Sequence, residues 1–152
     1  MKGLRPAVRS QVEEAIKLAV PEFAPTARQK QACDLMDWDD LLSLDPKLIT
    51  VGSHTLTHSI LTTLDAAQME FELAESRRRL EQTLNCRVGF FCYPNGAHDA
   101  RVRQAVKRIY RAAVTTECGL VGGNGHDPHL LPRIPSAESP ALMAWRLHRP
   151  GA

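Results

Sequence analysis

Two histidines four residues apart, His54 and His58, are the side chains in this sequence best suited to hold a metal ion. Each imidazole offers one ring-nitrogen lone pair, and zinc, cobalt, nickel and manganese all accept such donors. The pair follows a β-branched run that stops at glycine, Ile49-Thr50-Val51-Gly52-Ser53. Strand, turn, then His-x-x-x-His is the order expected of a metal site at the carboxyl end of a strand. At this spacing two imidazoles share one face of a helical turn, which is the local geometry the sequence predicts.

The elements that must position the pair read as follows. Val8, Val12, Ile16 and Ala19 recur at helical spacing over residues 7–20, predicting an amphipathic helix lying on something apolar. Pro21 and Pro25 end it, and residues 21–33 read as a loop. Asp37 N-caps a short helix running to Leu44, with Asp40 in its first turn, and Asp45-Pro46 breaks it. Residues 48–52 are the first predicted strand. Asp65, with Gln68 at the reciprocal capping-box position, starts a helix to about Leu84. That helix sets Ala66, Met69, Leu73, Leu80 and Leu84 along one side. Glu75 and Arg79 are spaced to pair on its surface, and Arg77, Arg78 and Arg79 form a solvated basic face.

Residues 88–93 are nearly all apolar and predict a second strand, buried on both faces. A helix over 99–109 follows, with Val102, Ala105, Val106 and Ile109 inward. Residues 111–116 read as a third strand, 119–128 as a glycine-rich loop and 130–134 as a fourth strand. Ser139-Pro140 supplies the N-cap and first position of a last helix. Alternating strands and helices specify an α/β fold with a parallel sheet. Such sheets collect chemistry at the carboxyl ends of their strands. The histidine turn, the Pro94-Asn95-Gly96 turn and the loop after Thr116 all fall there.

Composition narrows the function classes. A chain of 152 residues fits one domain with a real core, and 24% charged with 43% apolar residues is ordinary for a globular protein. The net charge of +2, with no aromatic-studded basic stripe, argues against a nucleic-acid partner. No apolar run approaches the ~18 residues of a membrane span. No signal-peptide core follows Met1-Lys2-Gly3-Leu4-Arg5-Pro6, so the sequence as written predicts a cytoplasmic location. Cys33, Cys86, Cys92 and Cys118 form no Cys-x-x-Cys pair and read as reduced thiols.

His54-Thr55-x-x-His58 resembles the H-[ST]-x-x-H motif of the polysaccharide deacetylases, the NodB-homology family of carbohydrate esterases. Phe90-Phe91-Cys92-Tyr93-Pro94-Asn95-Gly96 resembles that family's strand ending in Tyr-Pro-x-Gly. Met36-Asp37-Trp38-Asp39-Asp40-Leu41, Tyr110 to Thr116 and Leu131-Pro132-Arg133-Ile134-Pro135 resemble its flanking elements, in order, over residues 36–136. The resemblance implies a partial (β/α) barrel of the NodB-homology type, with parallel strands and surrounding helices. It sets the domain at 36–152, behind an N-terminal helix and loop over 1–35.

The activity the resemblance implies is metal-dependent hydrolysis, in which a metal-activated water removes acetyl groups from N-acetylated (or O-acetylated) sugars. His54 and His58 match the metal ligands, with zinc foremost. Tyr93, Pro94, Asn95 and Gly96 match the turn that forms the substrate groove, where the backbone N–H of Asn95 would serve the oxyanion. The family's general-acid histidine has His126, His129 and His148 to match it, of which His126 and His129 in the glycine-rich loop are better placed.

Two departures shape the expectation. The family's first motif, a strand ending in Thr-Phe-Asp-Asp-Gly that supplies base and third ligand, has no counterpart in residues 1–47, and Asp39-Asp40 belongs to a capped helix. The position two before the motif proline, arginine in many relatives, is Cys92 here. The chain therefore reads as the later part of a deacetylase barrel, N-terminally truncated and impaired, whose relatives often work outside the cytoplasm. The partners expected are an acetylated poly- or oligosaccharide and, unless the N-terminal helix covers the open sheet edge, a second copy covering it. The other readings are a silent metal- or glycan-binding remnant and a structural partner.

Overall fold

The computed structural model describes residues 6–121 and 125–148; residues 122–124 of the predicted glycine-rich loop lie outside that range. The chain divides into two compact units, Met1–Thr50 and Val51–Ala152.

In the first unit, α1 (Pro6–Ala19) forms where the apolar spacing predicts it, and an Arg9–Glu13 ion pair of 3.0 Å lies along its surface. Its apolar stripe is not covered as expected: Val8 is 42% and Ile16 49% exposed. The predicted loop over 21–33 is corrected by a second helix, α2 (Ala27–Cys33). Thr26 supplies its capping box, accepting from Gln29 N (3.2 Å) while the Gln29 side chain accepts from Thr26 N (2.8 Å). α3 (Trp38–Leu42) is shorter than predicted and carries a second reciprocal box between Asp37 and Asp40. Asp39 and Asp40 sit in its first turn, where the helix dipole favours them.

The predicted strand over 48–52 does not form. The amides of Leu48 and Ile49 donate instead to the Asp45 carbonyl, at 3.0 and 2.9 Å, so a turn takes the hydrogens a ladder would need. The residue after the predicted strand, Ser53, makes an isolated parallel bridge to Phe91 in the second unit.

That second unit holds α4 (Ala66–Leu84), β1 (Phe90–Cys92), α5 (Ala100–Ile109), β2 (Ala112–Cys118), β3 (Leu131–Arg133) and α6 (Pro140–His148). The sheet is parallel in the order β1-β2-β3, with Phe90 opposite Ala112 and Val114 opposite Leu131. The fold is thus α/β with a parallel sheet and surrounding helices. Asp65 and Gln68 cap α4 as predicted, and Asp99 caps α5 by accepting from Val102 N at 2.7 Å. The Glu75–Arg79 pair forms at 2.8 Å.

One core joins Leu61, Leu64, Met69 and Leu73 to Phe91, Tyr93, Val102, Val106 and Tyr110. Ala66, expected inward, is exposed. The expectation that β1 is buried on both faces is also corrected. Phe91 and Tyr93 point into the helices, whereas Phe90, on the opposite face, is 40% exposed. Successive side chains alternate across a strand, and α4 and α5 cover only one side. Among the described residues no helix is long and apolar enough to cross a membrane.

The sequence contains two tyrosines, and both lie in this core. Burial pushes the Tyr93 phenol up to about 12, helped by the nearby Asp127 charge. Burial also raises Tyr110, opposed by hydrogen bonds from Ser53 and Ser76. Both phenols are therefore held neutral by the fold, and their contribution to stability is lost as pH rises above the ordinary tyrosine value of about 10. At pH 10, absorbance at 295 nm should show less tyrosinate in the folded protein than in the unfolded chain. In denaturant, half of both tyrosines should ionise near that pH.

Candidate functional site

The histidine segment is pinned to the sheet by two backbone bonds. Ser53 N donates to the Phe90 carbonyl at 2.8 Å, and Cys92 N donates to the Ser53 carbonyl at 2.9 Å. This parallel bridge sets His54 beside the carboxyl end of β1. Its Nδ1 then lies 2.7 Å from the Cys92 carbonyl oxygen. A carbonyl only accepts, which assigns the proton to Nδ1 and leaves the lone pair on Nε2. Metal-binding histidines are commonly oriented in this way, by donating the other ring N–H to a backbone carbonyl.

The His58 ring meets the His54 ring edge-on, with centroids 4.8 Å apart. The predicted helical turn does not bring them together. Thr55 (φ 67°) and His58 (φ 60°) both adopt the left-handed conformation, and the loop doubles back between them. Such a conformation costs a non-glycine residue about 1–3 kcal/mol, so the surroundings must hold it. Glu72 on α4 is the holding group nearest to hand. Its Oε2 accepts from Leu56 N (2.8 Å) and Thr57 N (2.9 Å), and its Oε1 accepts from Thr57 Oγ1 (2.6 Å). The sequence reading missed Glu72. Its signal was a carboxylate placed between Met69 and Ser76 on the buried face of α4.

The second expected cluster follows β1 as a tight turn, Pro94–Gly96. Asn95 (φ 54°) and Gly96 (φ 71°) are both left-handed. Asn95 is exposed at the strand end, as an oxyanion donor would need to be. A Cβ on Gly96 would lie 2.1 Å from Thr116 Oγ1, so the turn packs against β2 only because that position has no side chain. His98, also missed, closes the turn by donating from Nδ1 to the Gly96 carbonyl at 2.8 Å.

Tyr93, expected to line the substrate groove, is corrected to a core residue. Its ring is fully buried, and its hydroxyl donates to the His129 carbonyl at 3.0 Å. Any contribution of Tyr93 at the strand end is through its backbone. His129 is likewise buried, with Nε2 donating to the Tyr110 carbonyl at 2.9 Å and Nδ1 3.6 Å from Asp127. Its ring is engaged in the core and does not open onto the strand ends. His126 and His148 are exposed, and the structure brings neither to the histidine pair. At Cys92 the thiol lies 3.8 Å from an Arg133 guanidinium nitrogen, so an arginine from the end of β3 reaches this position.

As a donor set, the two imidazoles suit a borderline cation of the zinc type. Among the described residues no group of three histidine, cysteine, aspartate or glutamate side chains is arranged to complete a metal site.

The family model for polysaccharide deacetylases matches residues 23–113, more than half of the chain. The chain belongs to the polysaccharide deacetylase family. That family comprises hydrolases acting on carbon–nitrogen bonds. Among solved structures, a polysaccharide deacetylase from Bacillus cereus is 26% identical, with a TM-score of 0.58 over 65% of this chain and 32% of its own. A Bacillus anthracis protein ascribed the same activity is 27% identical, with a TM-score of 0.60 over 68% of this chain and 33% of its own. A Streptococcus pyogenes deacetylase, solved in complex with acetate, shares the fold at 22% identity and a TM-score of 0.58, over 69% of this chain and 47% of its own. The chain thus spans about a third of the two Bacillus deacetylases it matches. No curated protein matches it.

The Pro94–Gly96 turn makes a direct prediction. Gly96→Ala places a methyl group against Thr116 and forces a left-handed alanine, so it should cost more than about 2 kcal/mol. Urea denaturation followed by circular dichroism measures this.

Proposed function

We propose that His54 and His58 are two ligands of a divalent metal centre, zinc foremost, in a hydrolase that removes acetyl groups from acetylated sugars. The observation that carries this reading is the Cys92 carbonyl at 2.7 Å from His54 Nδ1, which frees Nε2 of a ring already stacked edge-on against His58. Family membership supports the reaction class.

When bound, the ion supplies Lewis acidity at the acetyl carbonyl and acidifies water. The chain's own residues supply the setting. His54 and His58 hold the cation, and the Ser53 bridge fixes their place at the sheet end. The N–H of Asn95, an exposed residue, serves the oxyanion in this reading, with the Pro94–Gly96 turn as its support. Arg133, beside Cys92, adds a positive charge at the strand ends where an anionic product such as acetate would leave.

Two histidines, with no acidic side chain completing the set among the described residues, make a weak site, so hydrolysis by this polypeptide alone should be slight. Titration with Co2+, read by visible absorbance, tests the ligands. The unaltered chain should bind, His54→Ala and His58→Ala should each weaken binding by more than about tenfold, and His148→Ala should leave it unchanged. Acetate release from an acetylated chitooligosaccharide should be near background. Turnover that disappears in His54→Ala would overturn the expectation of impairment, and binding indifferent to both histidines would overturn the metal centre.

A further inference from the structure

We infer that Glu72 is a positioning residue for the histidine pair, acting through the backbone of the loop between the two rings. The inference rests on the metal-centre reading and adds to it a device on α4 that sets the ligand geometry.

Glu72 is only 7% exposed, and among the described residues no lysine or arginine pairs with it. A buried carboxylate without a cation is costly unless hydrogen bonds replace its water. Here the replacements are three, and all come from two of the three residues lying between the histidines: Leu56 N, Thr57 N and Thr57 Oγ1. The Thr57 hydroxyl also lies 2.7 Å from the buried Ser59 Oγ, which carries the hold past His58. One helical turn further on, Ser76 Oγ meets Ser53 Oγ at 2.8 Å, immediately before His54. The i and i+4 positions of α4 therefore grip the histidine segment at its start and at its middle.

The segment needs that grip. Thr55 and His58 are left-handed, and the Thr55 hydroxyl is buried without a partner among the described residues. Packing alone would be served better by an apolar side chain at position 72, facing the same way as Met69 and Leu73. A carboxylate there fits a backbone that must be held in one particular shape. If that shape is what makes His54 and His58 converge, losing Glu72 should loosen metal binding without unfolding the helix.

The test uses the full 152-residue chain with Co2+ as probe, comparing Glu72→Ala, Glu72→Gln and Leu80→Ala. Leu80 packs against the core from the same helix and reports on helix packing alone. Glu72→Ala should raise the Co2+ Kd by about 10- to 100-fold at a temperature where circular dichroism shows it folded. Amide exchange at Leu56 and Thr57 should speed up by at least about tenfold, with α4 still protected. Glu72→Gln keeps an acceptor for both backbone N–H groups and should recover most of the affinity, to within about threefold. Leu80→Ala should lower the melting temperature and leave the Kd within about twofold. Unchanged exchange at Leu56 and Thr57 in Glu72→Ala would overturn the inference, as would equal weakening by Glu72→Ala and Leu80→Ala. Absence of Co2+ binding by the unaltered chain would overturn the metal-centre reading instead. The exchange rates, with the nuclear Overhauser contact between the two histidine rings, would then decide the role of Glu72.

Discussion

Two backbone hydrogen bonds, Ser53 N to Phe90 O and Cys92 N to Ser53 O, carry the rest of the site. They fix the level at which the histidine segment leaves the sheet. From that level follow the Cys92 carbonyl beside His54, the tautomer it imposes, and the reach of Glu72 to the next loop. Shifting the register by one residue would reverse which face each side chain takes. The extended strand expected at 48–52 is unnecessary for this. A single bridge suffices because β1 is itself anchored, pairing with β2 on its other side and packing Phe91 and Tyr93 into the helices.

What the sequence made legible was mostly capping and periodicity. Asp65 with Gln68, the apolar spacing of Val102, Ala105 and Val106 in α5, and the apolar run around Phe91 each stated their element locally, and the structure follows them. The misses have physical causes. α2 lacks an apolar stripe, and its only announcement is Thr26 with Gln29, hidden behind two prolines. The β-branched run at 49–51 has strand propensity, but propensity yields when a turn captures the amides first, as Asp45 does here. Burial of β1 on both faces was inferred from composition, which counts apolar residues without showing which layers cover them.

The site was legible as residue types and only partly as geometry. His54 and His58 were correctly marked as neighbours, yet for the wrong reason, since a left-handed loop and not a helical turn brings them together. A left-handed threonine has no signature in a sequence. Tyr93 and His129 look equally functional on paper, and the structure commits both rings to the core. Glu72 was legible only as an oddity, a charge on an apolar stripe, whose meaning needed its three partners in view.

The grip of Glu72 on the loop has a consequence for sequence drift. It runs chiefly through the amides of Leu56 and Thr57, which every residue except proline possesses. The side chain of Leu56 takes no part in that grip, and Thr57 adds one hydroxyl contact that backbone bonding does not require. Of the three positions between the histidines, 56 and 57 are therefore free to change identity, proline apart, while the spacing and convergence of the rings persist. A motif written with two unspecified letters is, in this chain, a main-chain specification recorded elsewhere, on a helix one loop downstream.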